Sequence, residues 1–161
     1  MRSEMLISLL TSFRGRISRK QWWIGFLIIL LISLPGEYYL DPGQFNPEPG
    51  VLRMPVWPET LWSILWLIPS TAITVKRFND RDWPWWLGYA IGAAWLVSFV
   101  GPYFGLYIDP DAGMPNAIAF WLLLAVAFAA TVDNGFLRGT PGPNRYGADP
   151  RGKDEPVAVA A

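Results

Sequence analysis

The chain has 161 residues, 52% of them hydrophobic, with 13 Lys plus Arg balanced by 13 Asp plus Glu. It contains no Cys and no His, which excludes disulfides, thiolate or imidazole zinc sites, a Cys nucleophile and His-dependent triads. Charge neutrality argues against a nucleic-acid binder, and the apolar content argues against a disordered chain.

In chain order, Met5 to Phe13 (MLISLLTSF) places Met5, Leu6, Leu9, Leu10 and Phe13 on one helical face. This predicts a short amphipathic helix lying in a membrane interface. The apolar run is too short before Arg14 for a signal peptide, and no small-x-small site follows the first long span, so no cleavage is expected. Charges are then absent from Gln21 to Gly36, Thr60 to Val75, Trp83 to Ile108 and Ala112 to Val132. A bilayer core of about 30 Å needs about 17 to 25 mainly apolar residues per helix. The gaps therefore predict spans at about 22–39, 56–75, 84–107 and 114–132. The first two take in one acid each near an end, Glu37 and Glu59, at modest cost. A soluble bundle would need four helices without a polar face, against the usual amphipathic pattern.

Asp41 to Pro58, with five prolines, predicts an irregular external loop, and DPDAGMP (Asp109 to Pro115) a tight external turn. Pro69 lies inside the second span, where a kink is expected, and Pro84 suits the first turn of the third span, with Asp82 or Trp83 as its cap. The short connection between spans two and three makes them an antiparallel pair. GTPGPNRYGADP (Gly139 to Pro150) predicts a looped segment, and residues 151–161 a frayed tail beyond a single membrane domain of residues 1–150.

With four spans, 12 of the 13 basic residues fall on one side, and Arg53 alone falls on the other. The basic side carries a net +5 and the opposite side a net −5. Positive charge marks cytoplasmic loops, so both termini are expected in the cytoplasm. Trp22, Trp23, Trp83, Trp85 and Trp86 near the basic ends, and Tyr38, Tyr39, Trp57, Tyr103 and Tyr107 near the opposite ends, fit aromatic belts. The fold class is thus all-α, a four-transmembrane-helix bundle with an N-terminal interfacial amphipathic helix.

Three motifs on the basic side, FRGRISRKQWW (Phe13 to Trp23), TVKRFNDRDWPWW (Thr74 to Trp86) and GTPGPNRYGADP, resemble those of the bacterial inner-membrane family catalogued as domain of unknown function 805. The family's Phe-x-Gly-Arg-x-x-Arg pattern falls on Phe13, Gly15, Arg16 and Arg19, followed by Trp22 and Trp23. Its Arg-Arg-Leu-His-Asp pattern falls on Lys76, Arg77, Phe78, Asn79 and Asp80, followed by Trp85 and Trp86. Its Asn-x-Tyr-Gly-x-Asp-Pro pattern falls on Asn144, Tyr146, Gly147, Asp149 and Pro150. The resemblance runs from Met5 to Pro150 and implies a small helical protein of the bacterial inner membrane, without an assigned activity. Asn79 stands where the family has His, so no proton transfer by that His operates here.

Converging on one face, these motifs offer Arg16, Arg19, Arg77, Asn79, Asp80, Trp86, Asn144, Arg145 and Tyr146 as contacts for lipid headgroups or a membrane partner. Arginine binds phosphate bidentately, and tryptophan suits the glycerol region. The competing reading is structural: the cations orient helices and pair with Asp, Arg77 and Asp80 lock a turn three residues apart, and the NRYG turn (Asn144 to Gly147) folds back to cap helix ends. Two carboxylates, Asp80 and Asp133, lie near span ends where a divalent cation would need them. No catalytic residue, cofactor or metal site is assigned, and no nucleic-acid partner. A non-catalytic binding or scaffold protein is expected. The alternatives are an oligomeric channel or transporter subunit, disfavoured by the absence of mid-span charge, and a lipid-modifying enzyme. A homo-oligomer remains compatible with each.

Overall fold

The computed structural model describes residues 3–45, 55–106 and 113–152. Residues 46–54 of the proline-rich loop, residues 107–112 and the tail at 153–161 lie outside the described residues. Five α-helices follow in order: α1 (Ser3–Thr11), α2 (Arg19–Leu40), α3 (Trp57–Asp80), α4 (Trp86–Val100) and α5 (Met114–Phe136). Single 3-10 turns at Pro42–Phe45 and Gly101–Phe104 follow α2 and α4. No strand occurs among the described residues.

Local chemistry starts these helices. Ser18 caps α2 in a reciprocal box with Gln21, each side chain bonding the other residue's backbone N–H, which satisfies two donors that a helix start leaves open. Pro58 sits in the first turn of α3 and Pro115 in that of α5, where a missing N–H costs nothing. Two internal prolines, Pro35 in α2 and Pro69 in α3, are carried within continuous helix.

Three helical segments, Arg19–Leu40, Trp86–Phe104 and Met114–Phe136, are long and apolar enough to cross a bilayer. Their large side chains face outward: Leu31 is 72% exposed, Trp121 64% and Phe128 72%. A water-soluble monomer does not expose apolar surface on this scale. The remaining long helix, α3, has 24 residues but a different character. It is the axis on which α1, α2 and α4 pack, and it buries Thr60, Ser63, Lys76, Arg77, Asn79 and Asp80.

Small residues set the close contacts. On α4, Gly88 and Gly92 are one turn apart against α3. A Cβ at Gly88 would lie 2.6 Å from Val75 Cγ2, and one at Gly92 would lie 2.6 Å from Thr71 Oγ1. This small-x-x-x-small spacing lets two backbones approach, as membrane helices do where packing rather than hydrophobicity drives association. Between α2 and α3, Trp62 lies across Gly36 and its indole N–H donates to the Ser33 carbonyl at 3.0 Å. A cluster of Leu9, Ile17, Trp22, Ile29 and Ile73 forms the core near the charged end. At the opposite end Tyr103 stacks on Trp57 at 4.0 Å, and its hydroxyl lies 2.9 Å from Thr60 Oγ1.

The third span differs from the sequence expectation at its start. Helix α4 begins at Trp86 rather than at Pro84, and its cap residue is Trp85, with no capping side chain. Asp82 takes a left-handed φ of 59°, and the Trp83 N–H bonds back to the Phe78 carbonyl. The chain leaves α3 through a tight reversal before the next helix starts, so neither Asp82 nor Trp83 is placed to cap it.

Candidate functional site

The charged end of the bundle is built around Asp80, the last residue of α3. Arg16, on the segment between α1 and α2, donates to Asp80 Oδ1 from Nε at 3.0 Å and from Nη2 at 2.9 Å. Its remaining N–H groups go to the carbonyls of Thr140 (2.7 Å), Gly142 (2.7 Å) and Gly147 (3.1 Å). All five donors of one guanidinium are thus used within the protein. Arg77 donates to Asp80 Oδ2, to the Leu137 carbonyl and, at 2.6 Å, to the Asn134 carbonyl. The side chains of Arg16, Arg77 and Asp80 are 1%, 0% and 4% exposed.

This arrangement joins three parts of the chain. The α3 end carries Arg77 and Asp80, the 12–18 segment brings Arg16, and the segment after α5 supplies carbonyls. Gly139 is required at the junction, because a Cβ there would collide with the Asp80 carboxylate. Thr140 then bonds the Asp80 carbonyl twice, from N at 2.8 Å and Oγ1 at 3.0 Å.

The other cations mostly close helix ends. Arg19 donates to the Phe136 carbonyl (2.9 Å), Arg81 to the Arg138 carbonyl (2.6 Å), and the Trp23 indole to the Gly135 carbonyl (3.0 Å). Together with Arg77 they satisfy the carbonyls that α5 leaves open and complement its negative end. Lys76, buried, does the same for α1, donating to the carbonyls of Ser8 (2.9 Å) and Leu9 (2.5 Å).

The NRYG turn folds back onto α3. Asn144 and Gly147 exchange two backbone hydrogen bonds at 3.0 Å, with Gly147 at φ 131°. Asn144 Nδ2 donates to the Asn79 carbonyl (2.9 Å) and Tyr146 Oη to the Trp83 carbonyl (2.7 Å). Arg145 pairs at 3.0 Å with Asp82 on the exposed rim. Further on, hydrogen bonds from the Arg151 side chain, aided by the backbone N–H groups of Arg151 and Gly142 and opposed by burial, hold the Asp149 carboxyl well below the usual carboxylate range.

Of the residues singled out from the sequence, the structure brings together Arg16, Arg77, Asn79, Asp80, Asn144 and Tyr146, with Arg145 on the rim and Arg19 at the end of α5. Trp86 is not part of this network; it is 53% exposed at the start of α4. Asp80 and Asp133 do not face one another as a carboxylate pair: Asp80 is held by two arginines, and Asp133 by Arg81 at 3.2 Å. Among the described residues no three Asp or Glu side chains gather. Sequence reasoning missed Lys76 as the cap of α1, Gly139 and Thr140 as the seat of Asp80, and Asn134. The Gly-Thr-Pro-Gly sequence carried a turn signal, but only the tertiary fold shows that the turn closes on Asp80.

Besides a 290 Å³ cleft beside Phe13, Asn79 and Tyr146, two cavities adjoin this end. One, of 290 Å³, opens at the start of α2 and is lined by Ser18, Arg19, Lys20, Arg77, Asp80, Gly139, Pro150 and Arg151. The other, of 350 Å³, runs between α2, α3, α4 and α5 from Trp22 and Asn134 to Ser33 and Glu37.

No solved structure matches the chain. Among curated relatives, the inner membrane protein YhaH of Escherichia coli (strain K12) is 28% identical over 142 residues, covering 86% of this chain and 87% of the relative. The uncharacterized protein YiiR of the same organism is 28% identical over 145 residues (87% and 86%), and its inner membrane protein YhaI 26% identical over 140 (86% and 86%). A family profile described as "Protein of unknown function (DUF805)" matches residues 10–148, taking in all three basic-side motifs. The chain, with its arginine-locked helix ends, therefore belongs to the DUF805 family.

Proposed function

We propose that this is a non-catalytic protein of the bacterial inner membrane that crosses the bilayer four times, keeps both termini in the cytoplasm and engages anionic lipid headgroups at its charged end. The names of the relatives support the location. The fourth crossing is α3. Its 24 residues reach about 36 Å, it packs between α2 and α4, and its lower apolarity follows from the hydroxyls and charges it buries against protein, while Leu61, Leu65 and Ile68 keep an outward apolar face. Four crossings also collect 12 of 13 basic residues on one side, as cytoplasmic loops require. Helix α1 then lies along that interface, with Leu9 inward and Ile7 outward.

The observation that carries the headgroup reading is the division of labour among the arginines. Arg16 and Arg77 are consumed by internal partners, which leaves no free dyad for chemistry. The 290 Å³ cavity beside them is rimmed by the exposed Arg19, Lys20 and Arg151 at the positive end of α2. A phosphate there meets Arg19 and Lys20 beside a helix start at the depth where headgroups lie, with Arg151, already paired to Asp149, at the edge.

The test is thermal unfolding in nanodiscs of phosphatidylcholine alone or mixed with phosphatidylglycerol. The anionic lipid raises the midpoint of the native protein, and the Arg19→Gln/Lys20→Gln variant loses most of that rise. Equal shifts in both proteins overturn the headgroup reading.

A further inference from the structure

The 350 Å³ groove between the helices starts beside the charged end at Asn134 and runs away from it, and it holds buried polar groups that the fold does not satisfy. Its size falls in the range of about 300–1,000 Å³ typical of small-molecule sites. Three buried polar atoms on its lining residues have no hydrogen-bond partner: the indole N–H of Trp22, the indole N–H of Trp66 and Oδ1 of Asn134. Trp22 is 3% exposed and Asn134 2%. A polar group buried without a partner is destabilising wherever it lies. The Trp22 donor and the Asn134 acceptor lie at the end of the slot nearest Arg77, and the Trp66 donor lies farther along it, eleven residues before Arg77 on α3.

The slot is also reachable from the bilayer. Among the described residues α4 and α5 make no close backbone approach. A 240 Å³ apolar cleft lies between them, and it shares Ile91, Trp95 and Ala127 with the larger groove. Helix α5 is held chiefly at its charged end, through the carbonyls of residues 134–138. Farther along, nothing seals it to α4.

The chemistry of the lining selects the occupant. The indoles call for acceptors such as ester carbonyls, and Asn134 Oδ1 calls for a hydroxyl donor. The single charged lining residue is the acid Glu37 at the far end, which disfavours a phosphate. We propose that this groove binds a neutral glycerolipid of the diacylglycerol class, entering between α4 and α5, with its glycerol hydroxyl at Asn134, an ester carbonyl at Trp22 and an acyl chain along the slot past Trp66. This site is independent of the anionic headgroup site at Arg19 and Lys20.

The experiment uses the full chain in phosphatidylcholine nanodiscs with a diazirine-tailed 1,2-diacylglycerol as the probe. Photolysis and peptide mass spectrometry are expected to place crosslinks on the groove faces of α2, α3 and α5, and unlabelled dioleoylglycerol competes with them. The Trp22→Phe variant weakens that competition about two- to tenfold, the loss of one hydrogen bond. Ala130→Phe, which fills the groove without touching the charged end, abolishes it. Crosslinks spread evenly over the lipid-facing surfaces, or displaced equally by added phosphatidylcholine, overturn the proposal by showing bulk lipid only. Displacement by phosphatidylglycerol that is lost in Arg19→Gln/Lys20→Gln overturns it in favour of a single anionic-lipid site. Loss of the phosphatidylglycerol stabilisation alone, with crosslinking intact, leaves this proposal standing and removes the other.

Discussion

Replacing Asp80 with Asn removes one charge and almost no volume, at the point where the structure depends most on charge. The carboxylate neutralises two guanidiniums that are 1% and 0% exposed. In Asp80→Asn the amide oxygen can still accept from one arginine, while the amide nitrogen meets a second donor. Taking one partner from a buried pair costs about 3–5 kcal/mol, because the remaining charge stays buried and uncompensated. That is a large part of the roughly 5–15 kcal/mol by which domains are stable. Asp82→Asn is the matched control: its pair with Arg145 is exposed, at 44% and 57%, and its loss costs about 1 kcal/mol or less. Unfolding in detergent micelles, followed by the fluorescence of the ten tryptophans, measures both. If Asp80→Asn and Asp82→Asn unfold within about 1 kcal/mol of each other, the buried network is not what holds this end together.

Other outcomes follow from the same geometry. Gly88→Ala drives a Cβ against the Val75 backbone and side chain and lowers stability by about 1–3 kcal/mol; Ala93→Leu on the outward face of α4 has little effect in the same unfolding assay. Lys76→Met leaves the Ser8 and Leu9 carbonyls unserved, and amide exchange over residues 3–11 rises while that of α2 stays slow. Asp149 has a folded pKa depressed below its ordinary value of 3.8, so its contribution is full above that value and is lost as pH falls below it. Protease cleavage after Arg145 therefore increases below about pH 4 in the native chain, whereas Asp149→Asn is already susceptible at neutral pH and changes little on acidification.

Much of this architecture was legible in where charges are missing. Uncharged runs locate α2, α4 and α5, since a lipid-facing helix must be apolar on every side. The Arg77–Asp80 spacing and the Asn144–Gly147 turn were also readable, because both rest on local geometry. The uncharged run from Thr60 to Val75 locates α3 as well, although the hydroxyls and charges that it buries blur its hydropathy. Two local signals were present but unread: the Ser18–Gln21 capping box and the Gly88–Gly92 spacing. The seat of Asp80 was not readable at all. It joins residues 16, 80 and 139–147, and only the fold shows that Arg16 spends every donor on protein. The outward position of Trp86 was lost for the same reason: an aromatic beside a charged motif reads alike whether it faces lipid or the network.

The absence of cysteine from the chain makes the central claim directly measurable. Single cysteines at Phe45 and Ala148, both exposed and near opposite ends of the bundle, can be probed on spheroplasts with a membrane-impermeant maleimide. Four crossings with the arginine-locked end in the cytoplasm predict that Phe45→Cys reacts on intact spheroplasts and Ala148→Cys only after lysis. Reaction of Ala148→Cys from outside, or of both positions from the same side, contradicts it.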